Sequence, residues 1–435
     1  MEIATLMTRN ERCRGCTSAA LTRILSLGVQ PPANAFVRPE DLGKPELAFP
    51  LDVYFCNDCS LAQLRDIVSP ELLFTQYVYV SSTSPAFVAH FRAFADAIVS
   101  RFGLGPSSLV VDIGSNDGIL LKPFQEKGIR VLGVDPAVKI AAEATAAGIE
   151  TLPYFFTPDV ARDIADRHGR SSVITATNVF AHVNNLDALV EGVRILLASE
   201  GVFIIEVPYL ADFLEQNLFD TVYHEHLSYF SVASASVLLE RLGMKVINVE
   251  KTDSHGGSLR ICAAPRESAH PVGDAVGRFV ADERARGLED MTVYEKFAKR
   301  VEENKIQLTA LLRGLRTDGK TIAGYGASAK GNTLLNYFGI GPETLDYIAD
   351  DSAWKQGLLT PGTHIPVVAA QRIAEQTPDY ILILAWNFAD PIMKKLEWFS
   401  RAGGRFILPV PVPRIVRQLH AQEDSATRLP LRTNQ

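Results

Sequence analysis

The spacing of hydrophobic positions changes several times along this chain, and each change marks a different kind of element. Residues 86–99 place Phe87, Phe91, Phe94, Ala95 and Ile98 at helical spacing. Ser108–Asp112 is a short apolar run that ends in an acid, and a glycine-containing turn follows it. Val131–Asp135 repeats that pattern, and Ala137–Ala147 is rich in helix formers. Ser172–Phe180 and Val202–Tyr209 read as buried strands, with an amphipathic helix over Leu186–Leu197 between them. Strands alternating with helices predict crossover units and a parallel sheet. Residues 245–264 differ: two strand-like runs flank Ser254-His255-Gly256-Gly257, which predicts an antiparallel hairpin at the sheet edge. A long charged helical stretch, 275–318, leads into a second α/β pattern with strands at Thr321–Tyr325, Leu345–Asp350, Tyr380–Trp386 and Arg405–Val410. The first 70 or so residues are different again, broken by Pro31, Pro32, Pro39, Pro45 and Pro50 into short strands. The expected division is a small module over 1–70, an α/β domain over 71–285 and a second α/β domain over 286–435.

Composition agrees with a multidomain globular chain. It has 435 residues, 47% hydrophobic and 21% charged. No run approaches the ~20 apolar residues that span a bilayer. The N-terminus lacks the apolar stretch of a signal peptide, so a cytoplasmic protein is expected. The 43 basic and 50 acidic residues leave a net charge of -7. That argues against an electrostatic grip on nucleic acid or on an anionic membrane. A soluble monomer or weak oligomer is the expectation.

Four of the five cysteines fall in two knuckles, Cys13-x2-Cys16 and Cys56-x2-Cys59. Two knuckles can close a tetrahedral Zn2+ shell, and four sulfur ligands leave no position open for substrate, so such a metal is structural. The 39 residues between the knuckles require an inserted hairpin or loop. Redox CxxC chemistry and buried free thiols are the alternatives. Cys262 sits in an apolar run and reads as a buried strand residue.

The turn after the first α/β strand reads Asp112-Ile113-Gly114-Ser115-Asn116-Asp117-Gly118, and Asp135 ends the next strand 23 residues after Asp112. A carboxylate there can accept both hydroxyls of an adenosine ribose. The glycines are spaced G-x-x-x-G rather than G-x-G-x-x-G, and the acidic start suits a cationic cofactor better than a diphosphate. This turn, the Val134-Asp135 pair and the run from His182 to Gly201 resemble the S-adenosylmethionine (SAM)-dependent methyltransferases of the Rossmann-like class. In that class the loop contacts the methionine portion and the acid after the second strand binds the ribose. Asn116 stands where the commonest loop of the class has glycine.

Tyr223-His224-Glu225-His226 is the densest ionisable cluster in the chain. If the segment is extended, its two histidines share a face. A neighbouring carboxylate can fix a tautomer and raise basicity, as a general base near neutral pH requires. His182 follows a strand, again at a sheet edge, and Tyr77 and Tyr79 lie where the module meets the first α/β domain. Gly324-x-Gly326-x-x-Ala329 follows a strand of the second α/β domain, with Asp350 and Asp351 some 20 residues on. That spacing fits a dinucleotide fingerprint, so an NAD-dependent oxidoreductase is a competing reading. Ser328, Lys330 and Asn332 at the helix start suit a phosphate of any kind. A zinc module that only docks partners and an O- or N-methyltransferase are further alternatives.

Taken together, the motifs resemble the sugar C-methyltransferases that act on nucleotide-linked 4-keto-deoxysugars. The match runs from the paired CxxC knuckles through Tyr77, Asp112–Gly118, Asn178 with His182, Tyr223–His226 and Ser254–Gly257 to Gly324–Asn332. The resemblance implies an N-terminal zinc-binding module and two Rossmann-like α/β domains, the central one binding SAM. It implies a cofactor site of Asp112, Gly114, Ser115, Asn116, Gly118, Asp135 and Asn178. It implies His226 as the base, with Glu225, Tyr223, His182 and Tyr77 lining the sugar pocket. His224, Ser328, Lys330 and Asn332 would contact the substrate, and the C-terminal domain would help hold its nucleotide diphosphate, usually dTDP. The Y-x-E-H run points to methylation at C-3 rather than C-5. A carbon beside a ketone becomes nucleophilic only after losing a proton, which explains a base and enolate-stabilising donors in one pocket.

Overall fold

The computed structural model describes residues 6–74, 85–252 and 256–417. They fall into two compact units: 1–35 with 45–302, and 36–44 with 303–435. The division falls inside the helix Met291–Thr317.

The first unit opens with β1 (Met7–Arg9), β2 (Leu21–Gln30), β3 (Phe49–Cys56), β4 (Ala62–Leu64) and β5 (Asp66–Val68). Strands β2, β3 and β4 are antiparallel neighbours, so the long connection between the knuckles contains the required hairpin. Burial along β3 alternates from Phe49 to Val53, with Phe49, Leu51 and Val53 buried, and is continuous from Val53 to Cys56.

Next come β6 (Leu109–Ile113), β7 (Arg130–Val134), β8 (Thr151–Leu152), β9 (Ser171–Thr177), β10 (Leu197–Pro208), β11 (Ser228–Tyr229), β12 (Met244–Thr252) and β13 (Ser258–Pro265). All except β11 form one seven-stranded sheet in the order β12-β13-β10-β9-β6-β7-β8. The pairs from β10 to β8 are parallel, while β13 runs antiparallel to both of its neighbours. The predicted hairpin is therefore β12–β13, although Ser254 and His255 lie outside the described residues. Order reverses at β6, which lies between β7 and β9. The carboxyl ends of β6 and β9 thus border a crevice of the kind in which doubly wound sheets bind ligands.

Helix Pro85–Phe102 packs Phe91, Phe94, Ala95 and Ile98 against Val110, Val173, Ile204 and Cys262 of the sheet. Each large side chain buried this way contributes about 1.5–3 kcal/mol. Cys262 is a buried strand residue, as its sequence context predicts. A charged group interrupts this apolar face. Glu206, fully buried on β10, accepts Arg260 Nε and Nη2 at 3.0 and 2.8 Å and lies 2.7 Å from His90 Nε2. Burial opposes its charge, but His90 and Arg260 outweigh burial and hold the carboxyl below its usual range. The Arg260 guanidinium also lies 4.0 Å over the Phe94 ring.

The small strand β11 joins the other sheet. It pairs with β4, Ser228 opposite Gln63 and Tyr229 opposite Ala62. Beside this seam Phe49 meets His224 edge to face at 5.9 Å, and His224 Nε2 faces the Phe49 carbonyl at 3.2 Å.

The second unit holds β14 (Ile322–Tyr325), β15 (Ile348–Asp350), β16 (Val367–Ala369), β17 (Tyr380–Ile383), β18 (Arg405–Leu408) and β19 (Arg414–Val416). Their order is β16-β15-β14-β17-β18-β19, parallel apart from β19. Residues 36–44 belong here through Val37, which bridges to Leu359. Among the described residues no helix is long and apolar enough to cross a membrane.

Two outcomes are expected. Gly114 has φ +70°, and a Cβ there would fall well inside van der Waals contact of Val179 Cγ2. Gly114→Ala should therefore lower stability by about 1–3 kcal/mol in urea melts. Burial pushes His224 down from 6.5 to about 4. Between those values the unfolded chain takes up a proton that the native site refuses. Stability is therefore full above pH 6.5 and falls as pH drops toward 4. His224→Gln should flatten part of that slope in melts recorded from pH 7.5 to 4.5.

Candidate active site

The loop after β6 is built on positive backbone angles: Gly114 at +70°, Asn116 at +50° and Gly118 at +79°. Asparagine is among the few side-chain residues that tolerate this region, so Asn116 serves where glycine is commoner. The loop folds back onto β7 through Gly114 N, which donates to the Val134 carbonyl at 2.7 Å. Asp135 then accepts Asn116 N through Oδ2 and Ala137 N through Oδ1, both at 2.9 Å. Those two amides orient the carboxylate and leave each oxygen a second lone pair for a hydroxyl donor.

Asp112 is buried and accepts Thr175 Oγ1 at 2.6 Å. Burial pushes it up to about 7 and raises Asp135 as well. Two carboxyl groups in one crevice provide an environment that a cation restores to full ionisation. Ser115 Oγ and Asn178 Oδ1 are buried there without a hydrogen-bond partner among the described residues. Asn178 follows β9 at φ +58°, its amide donating to the Glu206 carbonyl at 2.8 Å. This turn ends the strand at Thr177, three residues earlier than the apolar pattern suggests. An acid with spare acceptors, two unsatisfied polar atoms and a loop that brings backbone close all fit a SAM-sized cationic nucleoside.

Tyr223–His226 is not extended. His226 N donates to the Tyr223 carbonyl at 2.8 Å, closing a tight turn. The turn alters which side chains meet. Tyr223 and His226 converge with ring centres 3.9 Å apart, while His224 departs toward Phe49. The condition for the two histidines to share a face, an extended segment, is therefore not met, because the turn replaces the two-residue period of a strand. His226 Nδ1 lies 2.7 Å from the Thr221 carbonyl. A nitrogen facing a carbonyl must carry the proton, so the basic lone pair of the neutral ring is on Nε2.

His182 ends the short 3-10 turn Phe180–His182 and stacks on His226 at 5.0 Å and 22°. Phe74 stacks beside His182 at 5.8 Å and 8°. Enclosure pushes His182 down to about 4. Leu227 N donates to the Ala181 carbonyl at 2.9 Å, joining the two histidine-bearing segments. Glu225 is buried and accepts Asn34 Nδ2 at 2.6 Å. Phe74 and Asn34 carry no sequence signal of their own. Tyr77 and Tyr79 lie outside the described residues.

The four knuckle cysteines converge, with all ligand atoms within 4.8 Å of one another. Sγ–Sγ separations are 3.6 Å for Cys13–Cys59 and 3.5 Å for Cys16–Cys56. A tetrahedron with Zn–S bonds of ~2.3 Å has edges of ~3.8 Å, so the cluster fits a structural zinc. The thiols are free of disulfides. The Cys59 contact, helped by Gln63, holds the Cys13 thiol low, at about 5.

In the second unit, the glycine-rich turn has local explanations. Gly326 has φ +87°, and a Cβ on it would meet that of Ala385 at 2.5 Å. A Cβ on Gly331 would lie 2.8 Å from Leu384. Asp350 accepts Ala327 N at 2.7 Å and Ser352 N at 2.8 Å. The glycines and the acid of that spacing thus each have a local structural contact as well. Ser328 caps helix Ala329–Phe338 by accepting Gly331 N at 3.1 Å, Lys330 Nζ lies 4.8 Å over Trp386, and Asn332 is buried.

Family comparisons cover nearly the whole chain. A zinc binding domain family matches residues 13–74, a methyltransferase domain family 87–249, and a C-methyltransferase C-terminal domain family 253–411. The C-methyltransferase NovU of Streptomyces niveus is 41% identical over 93% of this chain and 97% of its own length. A ubiquinone biosynthesis O-methyltransferase of Rhodopseudomonas palustris is 30% identical over 25% of this chain and 46% of its own. Among solved structures, the magnesium protoporphyrin IX methyltransferase of Synechocystis is 16% identical with a TM-score of 0.31, covering 40% of this chain and 79% of that one. The match to a C-methyltransferase over nearly its whole length, together with the three domain families in order, places the chain in the family of SAM-dependent C-methyltransferases with an N-terminal zinc binding domain.

Proposed function

We propose that the enzyme methylates the ring carbon beside the ketone, C-3, of a dTDP-linked 4-keto-deoxysugar. The observation that carries this reading is the His226 ring, whose Nδ1–H is committed to the Thr221 carbonyl while its faces meet His182 and Tyr223. In this reading Nε2 of His226 removes the C-3 proton, and the C–H electron pair moves onto the ketone oxygen to give an enolate. SAM, when bound, supplies the electrophilic methyl group. His182 stays neutral at working pH, because burial holds it near 4. It can therefore stack on a newly protonated His226 without repelling it, and Tyr223 offers that cation a π face. Either ring can also donate a hydrogen bond to the enolate oxygen. Glu225, held by Asn34 Nδ2, is buried next to the base in the chain.

Asp135, with Asn116 N and Ala137 N already on it, takes the ribose hydroxyls. Asp112, Gly114, Ser115, Gly118 and Asn178 complete the cofactor site. His224, buried against Phe49, supports the turn. By resemblance, Tyr77 is assigned to the sugar pocket and Ser328, Lys330 and Asn332 to phosphate binding.

Two substitutions should dissociate the steps. His226→Asn should lower kcat by roughly 10²–10⁴-fold and abolish deuterium exchange at C-3, with affinity for S-adenosylhomocysteine (SAH) unchanged. Near-wild-type turnover would sink the assignment. Asp135→Ala should weaken SAH binding about 30-fold in calorimetric titration, the equivalent of two hydrogen bonds at about 1 kcal/mol each.

A further inference from the structure

One buried arginine touches both histidine-bearing segments and originates inside the zinc knuckle. Arg14 lies between Cys13 and Cys16 and is 6% exposed. Its Nη1 donates to the Leu227 carbonyl at 2.8 Å, and Leu227 follows His226. Its Nε donates to Asn184 Oδ1 at 3.2 Å, two residues beyond His182. Its Nη2 donates to the Leu64 carbonyl at 2.8 Å. The base of the side chain is fixed as well. Gln63, fully buried on β4, accepts Arg14 N through Oε1 at 3.0 Å and donates Nε2 to Cys13 Sγ at 3.0 Å. From the other side Arg241 Nε donates to the Gly15 carbonyl at 2.8 Å.

A guanidinium holds its donors in a rigid plane, so it sets the relative placement of everything it binds. We infer that Arg14 is a positioning residue: anchored by the cysteine clasp, it sets the spacing of His182 and His226 and so couples the zinc site to the catalytic base. The inference rests on the proposed role of His226. Lysine cannot replace this arginine, because one compact ammonium cannot reach three acceptors that diverge from a plane. The bland alternative is an arginine that merely satisfies buried carbonyls. Losing it would then lower the amount of folded protein without changing each folded molecule's rate.

The test uses the full-length, zinc-loaded chain as wild type, Arg14→Lys and Asn184→Ala. Asn184→Ala removes one arm of the grip at a distance from the cysteines. Four readouts are needed: zinc per chain, SAH binding stoichiometry, imidazole ¹⁵N resonances of His182 and His226, and the kcat–KM split. Arg14→Lys should keep zinc and one SAH per chain. It should shift or broaden both imidazole signals and lower kcat about 10–100-fold, the range seen when groups supporting a metal site are lost, with KM nearly unchanged. Asn184→Ala should shift the His182 signal and lower kcat by a smaller factor. Removing zinc from the wild type should reproduce the imidazole shifts. Wild-type imidazole signals in both variants would overturn the inference, as would wild-type signals in the zinc-free chain. If Arg14→Lys fails to fold or loses zinc, Asn184→Ala decides the matter. The resonances need no substrate. Shifted signals in an enzyme inactive on every 4-keto-sugar tried would therefore reject the substrate reading and leave this inference standing.

Discussion

Two residues of backbone pairing hold the candidate site together. Ser228 and Tyr229 are separated in sequence from the N-terminal strands by more than half of the first unit, yet they hydrogen-bond to β4 and extend that sheet. Backbone amides and carbonyls must find partners when buried, so this short ladder is difficult to break without cost. The turn that carries His226 lies immediately before it. The turn is therefore not a free loop on the methyltransferase domain but the last step into another sheet. Leu227 adds a bond to Ala181, which brings the His182 segment into the same arrangement. The zinc-binding module thus contributes to the site through backbone and through Arg14, Asn34 and Phe49.

The crevice at β6 and β9 works on a different principle. There the sheet supplies position and the side chains supply charge. Asp112 and Asp135 are both raised by burial, and two unsatisfied polar atoms stand beside them. Two acidic side chains with no cation against them among the described residues favour a sulfonium nucleoside over a pyrophosphate. Glu206, on β10 of the same sheet, is the counterexample. It is buried more deeply than Asp135 but stays low, because Arg260 and His90 satisfy it. Carboxyl groups of one sheet thus shift in opposite directions depending on whether cationic partners or only desolvation surround them.

Much of this was legible in the residues. The helical spacing of Phe87–Ile98, the apolar runs ending in Asp112 and Asp135, and the paired knuckles each express a local rule, so each could be read from a window of a dozen residues. The hairpin over 245–264 was legible for the same reason. The conformation of Tyr223–His226 was not legible: the sequence left open whether the segment is extended, and a turn closed by His226 N decides which side chains meet.

The chain order of apolar and polar residues specifies the elements, the zinc ligands and the chemistry available, because those depend on near neighbours. Which residues meet across 54 to 213 positions depends on how strands cross and sheets join. Arg14 against Leu227, Asn34 against Glu225 and Arg260 against Glu206 leave no local pattern, since the constraint that pairs them is burial of a charge or a carbonyl that exists only after the chain has folded.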